Sequence, residues 1–380
     1  MTTRALMPDY LRLCALFGIV VVNVQYMAFP ILGGFEAAST AEPANRAVVW
    51  LVNGLFLVKT YGLFSFMFGV GLAYQMRSAA NRALPFGTLY RNRMIGLLLL
   101  GLAHACLFFP GDILVIYAIT GTCLYWVRAW TARRLVRLGS ALLVIQIVVA
   151  GALVMTPEPA DPEVLAIERA LIGQGGFLEA VLFRTISFFY VLPYLLLFQG
   201  IAALGWFCLG LAAVKSGLID RPDHRLWRLA RRWCLGPGVL SSLLIAHLWL
   251  QTGDGRWEAA LIAAAPLATI GYLGVIAAMA RPAGPLGSML LSAGAASLSI
   301  YLGQSMVLST IFGAYGLGLW NEVSAAGAVA IALFVTLALV LLLAVWRKRF
   351  ALGPFEWLLR KGTYLGVPLT GGTRPEAGAK

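Results

Sequence analysis

A histidine within an apolar run is the clearest candidate for chemistry in this sequence. His104 precedes the turn pair Pro110-Gly111, and Asp112 and Tyr117 follow that pair. Ionisable side chains inside apolar runs are rare and usually face a cavity or a partner. An imidazole changes its protonation state near neutral pH and is the most frequent general acid or base in proteins. We therefore predict His104, Asp112 and Tyr117 as catalytic residues, although Asp112 can equally serve as a helix cap.

A second set of polar residues lies within other apolar runs. Ser297, Tyr301 and Ser305 recur every four residues, so they share one face of a helix. Residues of this kind can also form interhelical hydrogen bonds or extend to the membrane surface. We predict a water-accessible cavity between the first, third, fourth and ninth helices. Its predicted substrate-binding residues are Asn23, Lys59, Arg184, Tyr301, Gln304 and Ser305.

The composition indicates that membrane helices position these candidates. The chain has 380 residues, of which 60% are apolar and 12% are charged, and its mean hydropathy is +0.84. Soluble domains are about 45–50% apolar and about 25% charged. These values exclude a disordered chain, a disulfide scaffold and a soluble enzyme with one anchor. They predict an all-α, polytopic helix bundle that forms one membrane domain over residues 1–380.

Apolar windows give the number of spans. A hydrocarbon core of about 30 Å needs roughly 20 apolar residues per helix. Windows of about this length, separated by short connections, predict ten transmembrane helices. They cover residues 11–29, 56–75, 94–109, 112–127, 136–155, 185–213, 233–251, 258–280, 289–312 and 323–346.

The basic residues divide unevenly between the two sides of the predicted bundle. With the N-terminus in the cytoplasm, all but five of the 29 Lys and Arg residues fall on the cytoplasmic side. The five are Arg46, Lys59, Arg169, Arg184 and Arg256. Because Lys and Arg are enriched in cytoplasmic loops, both termini are predicted inside. The net charge of +13 is then a topological signal that also attracts anionic lipid, and nucleic-acid binding is not predicted.

The pair Pro110-Gly111 predicts a tight hairpin between the third and fourth helices. At 1.5 Å of rise per residue, His104 and Tyr117 both lie about 9 Å from that turn. The two side chains therefore lie at similar depth and can face each other.

Segments between and after the spans complete the predicted organisation. The acidic connection 156–184 predicts a short surface helix, with a lid as an alternative. Aromatic residues beside Arg360 and Lys361 predict a cytoplasmic interfacial helix after the last span. We divide the chain into an N-terminal bundle, a C-terminal segment and a tail predicted to be disordered, over 1–288, 289–365 and 371–380.

Several short motifs, in order along the chain, resemble those of the YeiB-like bacterial membrane proteins, the domain-of-unknown-function family 418. The motifs lie at 8–12, 18–23, 59–71, 101–118, 298–305, 316–320 and 353–360. The sequence departs from the family pattern at two positions. Leu13 replaces the usual glycine after Arg12, and Ile300 replaces the usual asparagine before Tyr301.

The resemblance implies a function by analogy, because this family is grouped by fold with transmembrane acyltransferases. Those proteins pass an acyl group from cytoplasmic acyl-CoA to an acceptor on the other face through a membrane-embedded histidine. On this analogy His104 is the base or the acyl-accepting residue, and Asp112 or Tyr117 orients it. The remaining assignments are stabilisation of negative charge by Asn23, Lys59 and Gln304, and docking of CoA phosphates by Arg12. The implied partners are the lipid bilayer of a bacterial cytoplasmic membrane and a small-molecule or lipid-linked acceptor, with no metal.

Two other classes of function stay open at this point. A transporter or lipid-handling protein would use the same polar cavity without covalent chemistry, and the Gly-rich segments 68–71 and 200–210 permit the broken helices it needs. A receptor or scaffold would leave His104 replaceable. A homo-oligomer is compatible with each class. Nucleotide hydrolysis, zinc proteolysis and hydrolase-type serine catalysis are disfavoured, because their motifs are missing from the sequence.

Overall fold

The structure is a computed structural model that describes residues 6–31, 34, 42–153 and 161–367. All regular secondary structure within these ranges is helical. The tail 371–380 predicted to be disordered, and the first part of the acidic connection, lie outside the described residues.

The described helices follow one another with short connections. In chain order they are α1 (Met7–Ala28), α2 (Pro43–Asn81), α3 (Phe86–Leu107), α4 (Leu114–Val127), α5 (Ala132–Leu153), α6 (Pro162–Glu168), α7 (Phe177–Lys215), α8 (Arg225–Thr252), α9 (Arg256–Met279), α10 (Pro285–Phe312), α11 (Ala325–Trp346) and α12 (Pro354–Thr363).

Most of these helices match the predicted apolar windows and extend beyond them. Within the described ranges, eight helices are long and apolar enough to cross a membrane, namely α1, α2, α5 and α7–α11. The helix α4 is apolar but has only 14 residues, and α3 is not among the eight. The all-helical fold is confirmed for the described residues, and the eight apolar helices fit a multi-pass protein, while the number of ten spans and the orientation stay predictions.

The helix α2 begins well before its predicted window of 56–75. Its 39 residues include a π-helical stretch at Val52–Phe56 and a break at Val58, whose φ of 68° lies in the left-handed region. A side chain branched at Cβ rarely adopts this conformation. The second part, Lys59–Asn81, corresponds to the predicted span.

Hydrogen bonds between connections show which of them lie at the same end of the bundle. Lys215 Nζ donates to the carbonyl of Arg128 at 2.6 Å. At the opposite end, Arg184 Nη1 donates to the carbonyl of Leu107 at 2.8 Å. We call the first the basic end and the second the hairpin end. The basic end carries the connections 82–85, 128–131, 216–224 and 280–284 and the helix α12.

The helix α12 is attached to the middle of α10, where a 3-10 stretch at Gly294–Ala296 ends and a new α-helical segment begins at Ser297. Glu356 accepts hydrogen bonds from the backbone N–H of Leu298 at 2.6 Å and from the Ser299 hydroxyl at 2.5 Å. A carboxylate at a helix N-terminus satisfies free backbone N–H groups and complements the helix dipole. The helix predicted after the last span is confirmed, and Glu356 fixes it against the bundle.

Two glycines allow α2 and α7 to cross in close contact. A Cβ atom on Gly69 would collide with the carbonyl of Phe207, and one on Gly210 with the carbonyl of Phe66. Small residues let membrane helices approach closely at such crossings. The Gly-rich segments around these residues thus serve helix packing.

We expect Gly210→Ala to lower the thermal unfolding temperature of the purified protein. The added methyl group would meet backbone atoms that cannot move independently, and overpacking of this kind costs about 1–3 kcal/mol. Gly236→Ala in α8 is the control, because a Cβ atom there meets nothing within 4 Å. Equal unfolding temperatures for the two variants would contradict the close crossing.

Candidate functional site

His104 and Asp112 form a buried hydrogen-bonded pair where α3 turns towards α4. His104 Nδ1 lies 2.7 Å from Asp112 Oδ2, and the two residues are 3% and 0% exposed. When Asp112 is ionised it only accepts hydrogen bonds, so Nδ1–H donates to it, and Nε2 of the neutral ring then carries the lone pair. His104 Nε2 has no hydrogen-bond partner within the described part of the chain. The pair therefore has one buried nitrogen that is unpaired among the described residues.

Asp112 also caps α4, so the two roles considered for it are compatible. Its Oδ1 accepts from the backbone N–H of Val115 at 2.9 Å, while Oδ2 holds His104. Gly101 makes this arrangement possible, because a Cβ atom there would lie 2.7 Å from Val115 N and 2.8 Å from Asp112 Oδ1. The tight hairpin predicted at Pro110-Gly111 is confirmed.

Two aromatic rings flank the imidazole. The ring of Tyr301 from α10 has its centroid 5.2 Å from that of His104, and the ring of Phe109 lies at 6.3 Å. The Tyr301 hydroxyl accepts a long hydrogen bond of 3.4 Å from the backbone N–H of Ile113. The C-terminal third of the chain thus reaches the pair through Tyr301.

A cavity leads from the basic end towards the pair. Its wide part, the vestibule, has a volume of about 470 Å³ and is lined by four arginines: Arg12, Arg82, Arg93 and Arg360. A narrower part of about 170 Å³, the channel, shares Arg12 and Arg93 with the vestibule. The channel extends to Ile113, Tyr117 and Tyr301. Because Tyr301 packs on His104 and Ile113 follows Asp112, the channel ends beside the pair.

Arg93 lines both the vestibule and the channel. Its guanidinium makes no hydrogen bond and no ion pair with another described residue, and its Nε is buried. Arg12 differs, because its Nη1 lies 3.0 Å from Asp9 Oδ1. In the sequence Arg93 is one of many basic residues near helix ends. Only its position in the cavity distinguishes it from the others.

A second cavity lies on the other side of the pair, towards the hairpin end. This hairpin cavity has a volume of about 290 Å³. Phe109, Pro110, Gly111 and Ile113 form the wall next to the pair, and Asn23 lines it from α1. Neither His104 nor Asp112 lines a cavity itself, but their neighbours along the chain line both cavities, which extend towards opposite ends of the bundle.

Tyr117 lies at the depth predicted for it but does not contact His104. Its hydroxyl shares a hydrogen bond of 2.9 Å with Ser65, and its ring packs against Phe68 and Phe207. It makes no hydrogen bond or ring contact with His104. Asp112 is thus the residue that orients the imidazole, and Tyr117 lines the channel.

Three predicted cavity residues are held by other parts of the chain. Lys59 is fully buried, and its Nζ donates to the carbonyl of Asn53 at 3.1 Å. Gln304 donates to Thr336 Oγ1 at 2.8 Å, which joins α10 to α11. Arg184 donates to Leu107 and, at 3.2 Å, to the Tyr315 hydroxyl. These contacts position helices.

The single cavity predicted between four helices has a different composition in the structure. Asn23 lines the hairpin cavity, His104 is buried beside it, and Gln304 is an interhelical contact. Ser305 is buried on α10 and lines neither cavity. The spacing of these residues along one helix predicted a shared face. The packing of the helices places the residues of that face against different neighbours.

The comparisons with known proteins agree with the resemblance noted in the sequence. Residues 213–366 match the family described as "Protein of unknown function (DUF418)". The chain is 29% identical to the uncharacterized protein YxaH of Bacillus subtilis (strain 168), over 94% of this chain and 93% of that protein. It is also 29% identical to the uncharacterized protein YeiB of Escherichia coli (strain K12), over 93% and 95%. The chain is similar to the YeiB-like family. No solved structure matches.

The YeiB-like motifs come together around the pair. The motif at 101–118 supplies Gly101, His104 and Asp112, the motif at 59–71 lines the channel, and the motif at 298–305 supplies Tyr301. The departure at Ile300 is a fully buried apolar residue next to Tyr301. Motifs distant in the YeiB-like sequence are therefore adjacent in space.

A buried carboxyl group anchors α6 over the hairpin end. Glu168 is 2% exposed, and its carboxylate accepts hydrogen bonds from the backbone N–H of Ile31 at 2.9 and 3.1 Å. Burial raises the pKa of Glu168 from an ordinary value of 4.5 to about 7, although the hydrogen bond from Ile31 opposes this rise.

This shift predicts a pH dependence of stability. Between pH 4.5 and 7 the folded protein holds a proton on Glu168 that the unfolded chain releases, so stability falls as the pH rises through this window. Above pH 7 the effect is constant. We expect Glu168→Gln to remove this part of the decline, measured as thermal unfolding at pH 5 and pH 8. An identical pH profile in both proteins would contradict the shift.

Proposed function

We propose that this protein is a membrane-embedded acyltransferase that uses His104 to move an acyl group from cytoplasmic acyl-CoA to an acceptor on the other side. The observation that carries the proposal is a buried histidine–aspartate pair whose Nε2 is unpaired among the described residues and whose neighbours along the chain line two cavities that extend towards opposite ends. In this proposal ten helices span a bacterial inner membrane, both termini are cytoplasmic, and the basic end faces the cytoplasm.

The vestibule and the channel suit a donor of the acyl-CoA type. CoA carries several phosphate groups on a bulky nucleotide and a thioester at the end of a slender arm. Arg82, Arg93 and Arg360 supply positive charge in the vestibule, and guanidinium groups bind phosphate strongly. The channel walls are mostly apolar, with Phe64, Met67 and Leu97 among them, so they suit the arm.

His104 supplies the reacting atom. Its Nε2 attacks the thioester carbonyl carbon, the C–S bond breaks, and CoA leaves as a thiolate through the channel. Asp112 stabilises the positive charge on the acylated ring through the Nδ1–H hydrogen bond. A hydroxyl group of the acceptor then attacks the acyl carbon, the C–N bond breaks, and Nε2 takes up the hydroxyl proton. Nε2 then passes this proton to water, and the released thiolate takes up a proton from water. If His104 acts instead as a base, Nε2 takes the hydroxyl proton while the hydroxyl oxygen attacks the thioester carbon directly. The C–S bond then breaks, and Nε2 returns the proton to the departing CoA thiolate.

Transfer of radiolabel from acetyl-CoA tests the proposal with the full chain in oriented vesicles. We expect release of free CoA thiol when acetyl-CoA is added at the basic end, and none when it is added at the hairpin end. Label trapped on the protein, removed by hydroxylamine and absent from His104→Gln would identify the acylated histidine, because the five cysteines remain in that variant. Absence of thiol release from either side would overturn acyl transfer and favour the transporter or lipid-handling alternative.

A further inference from the structure

We infer that the hairpin cavity binds a membrane-embedded molecule with an uncharged head group that carries several hydroxyl groups. Under the proposed function this molecule is the acyl acceptor, and that identification alone rests on the proposed function. The inference draws on the polar groups of the cavity, the charges in its wall and its position at the surface of the bundle.

Three carboxamide side chains from three helices line this cavity: Asn23 on α1, Gln146 on α5 and Gln199 on α7. None of these side chains makes a hydrogen bond with another described residue. Gln146 is 5% exposed in an apolar part of α5, where an unpaired amide costs free energy. A carboxamide has both donor and acceptor atoms, so the set matches hydroxyl groups, which also have both.

The charges in the wall select against an anionic head group. Among the described residues that line the cavity there is no Lys or Arg, and the single carboxylate is that of Glu258. Lys59 and Arg184 were predicted to bind substrate, but they donate to the backbone carbonyl groups of Asn53 and Leu107 and do not line this cavity. A phosphate, sulfate or carboxylate would have no counter-charge among the described lining residues. The carboxamides therefore favour an uncharged, hydroxyl-bearing group.

The cavity reaches the surface of the bundle at membrane depth. Tyr194 on α7 lines it and is nevertheless 48% exposed, and its ring packs on Phe198 at 4.1 Å. Val191 and Leu195 continue this apolar wall. An apolar tail can therefore stay in the bilayer while the head group enters beside Pro110 and the His104–Asp112 pair.

Photocrosslinking with a defined probe tests this inference without any acyl donor. The probe is dodecyl β-glucoside with a diazirine in its chain, used below micelle-forming concentrations with the full chain in nanodiscs of neutral lipid. We expect crosslinks on the peptide that contains Val191–Phe198. Unlabelled dodecyl glucoside should compete for this site, and dodecyl phosphate should not.

Matched glutamine variants complete the test. Gln146→Leu should reduce crosslinking about tenfold, because it removes hydrogen bonds to the head group. Gln251→Leu, an exposed glutamine of α8 outside the cavity, should leave crosslinking unchanged. Asn23→Leu gives a second variant from another helix, and unchanged unfolding temperatures show that the variants are folded.

Three results would overturn the inference: equal competition by dodecyl phosphate, crosslinks spread evenly over the lipid-facing surface, or normal crosslinking in folded Gln146→Leu and Asn23→Leu. Failure here is distinct from failure of acyl transfer. Specific crosslinking without thiol release would support the binding site and contradict acyl transfer. Thiol release without specific crosslinking would support acyl transfer and contradict the binding site.

Discussion

Replacement of His104 by alanine is expected to abolish thiol release from acetyl-CoA. Loss of a general base or nucleophile typically lowers the rate by about 10²–10⁴-fold. Because His104 is buried and bonded to Asp112, alanine also leaves a buried carboxylate oxygen unpaired, which costs about 1–3 kcal/mol of stability. The alanine variant thus loses both activity and stability, and a second substitution is needed to separate them.

His104→Gln makes this separation, because the amide can donate a hydrogen bond to Asp112 but cannot carry out the imidazole chemistry. We expect near-normal thermal unfolding and no thiol release. His247→Ala is the control for a histidine elsewhere in the bundle, since His247 is exposed on α8. Full activity of His104→Gln would remove the catalytic role and shift the interpretation to transport or lipid handling.

Arg93→Gln is expected to weaken binding of CoA by about 10–100-fold, which corresponds to the loss of one charge-assisted hydrogen bond. Among the described residues the guanidinium makes no hydrogen bond and no ion pair, so its N–H groups are available to a phosphate group. Equilibrium binding of CoA to the detergent-solubilised full chain measures the effect.

Arg91→Gln is the matched control for this change. Arg91 lies two residues away on the same helix, is exposed, and does not line the vestibule. Its replacement should change binding little, because exposed charges are screened by salt. If both variants weaken CoA binding equally, the basic end attracts CoA only through its general charge, and the specific role of Arg93 is refuted.

The site shows why some residues could be assigned from sequence and others could not. His104 and Asp112 are close along the chain and separated by a single tight turn, so their proximity follows from local geometry. Arg93 and Gln146 look ordinary in the sequence, since an arginine near a helix end and a glutamine in a helix usually have surface or packing roles. Their proposed binding roles depend on the tertiary structure, which leaves their polar groups without hydrogen bonds to other described residues and places them at a cavity.

Hydrophobic windows by themselves predicted a helical, multi-pass membrane protein, because lipid requires each span to satisfy its own backbone hydrogen bonds, and the described residues form eight helices long and apolar enough to span. The hairpin at Pro110-Gly111 was likewise local. Tertiary structure alone decided that Gln304 joins two helices, that Tyr117 faces Ser65, and that Tyr301 reaches His104. The physical reason is that helix periodicity fixes which residues share a face, whereas the crossing of helices at close-packed glycines such as Gly69 and Gly101 fixes what that face meets.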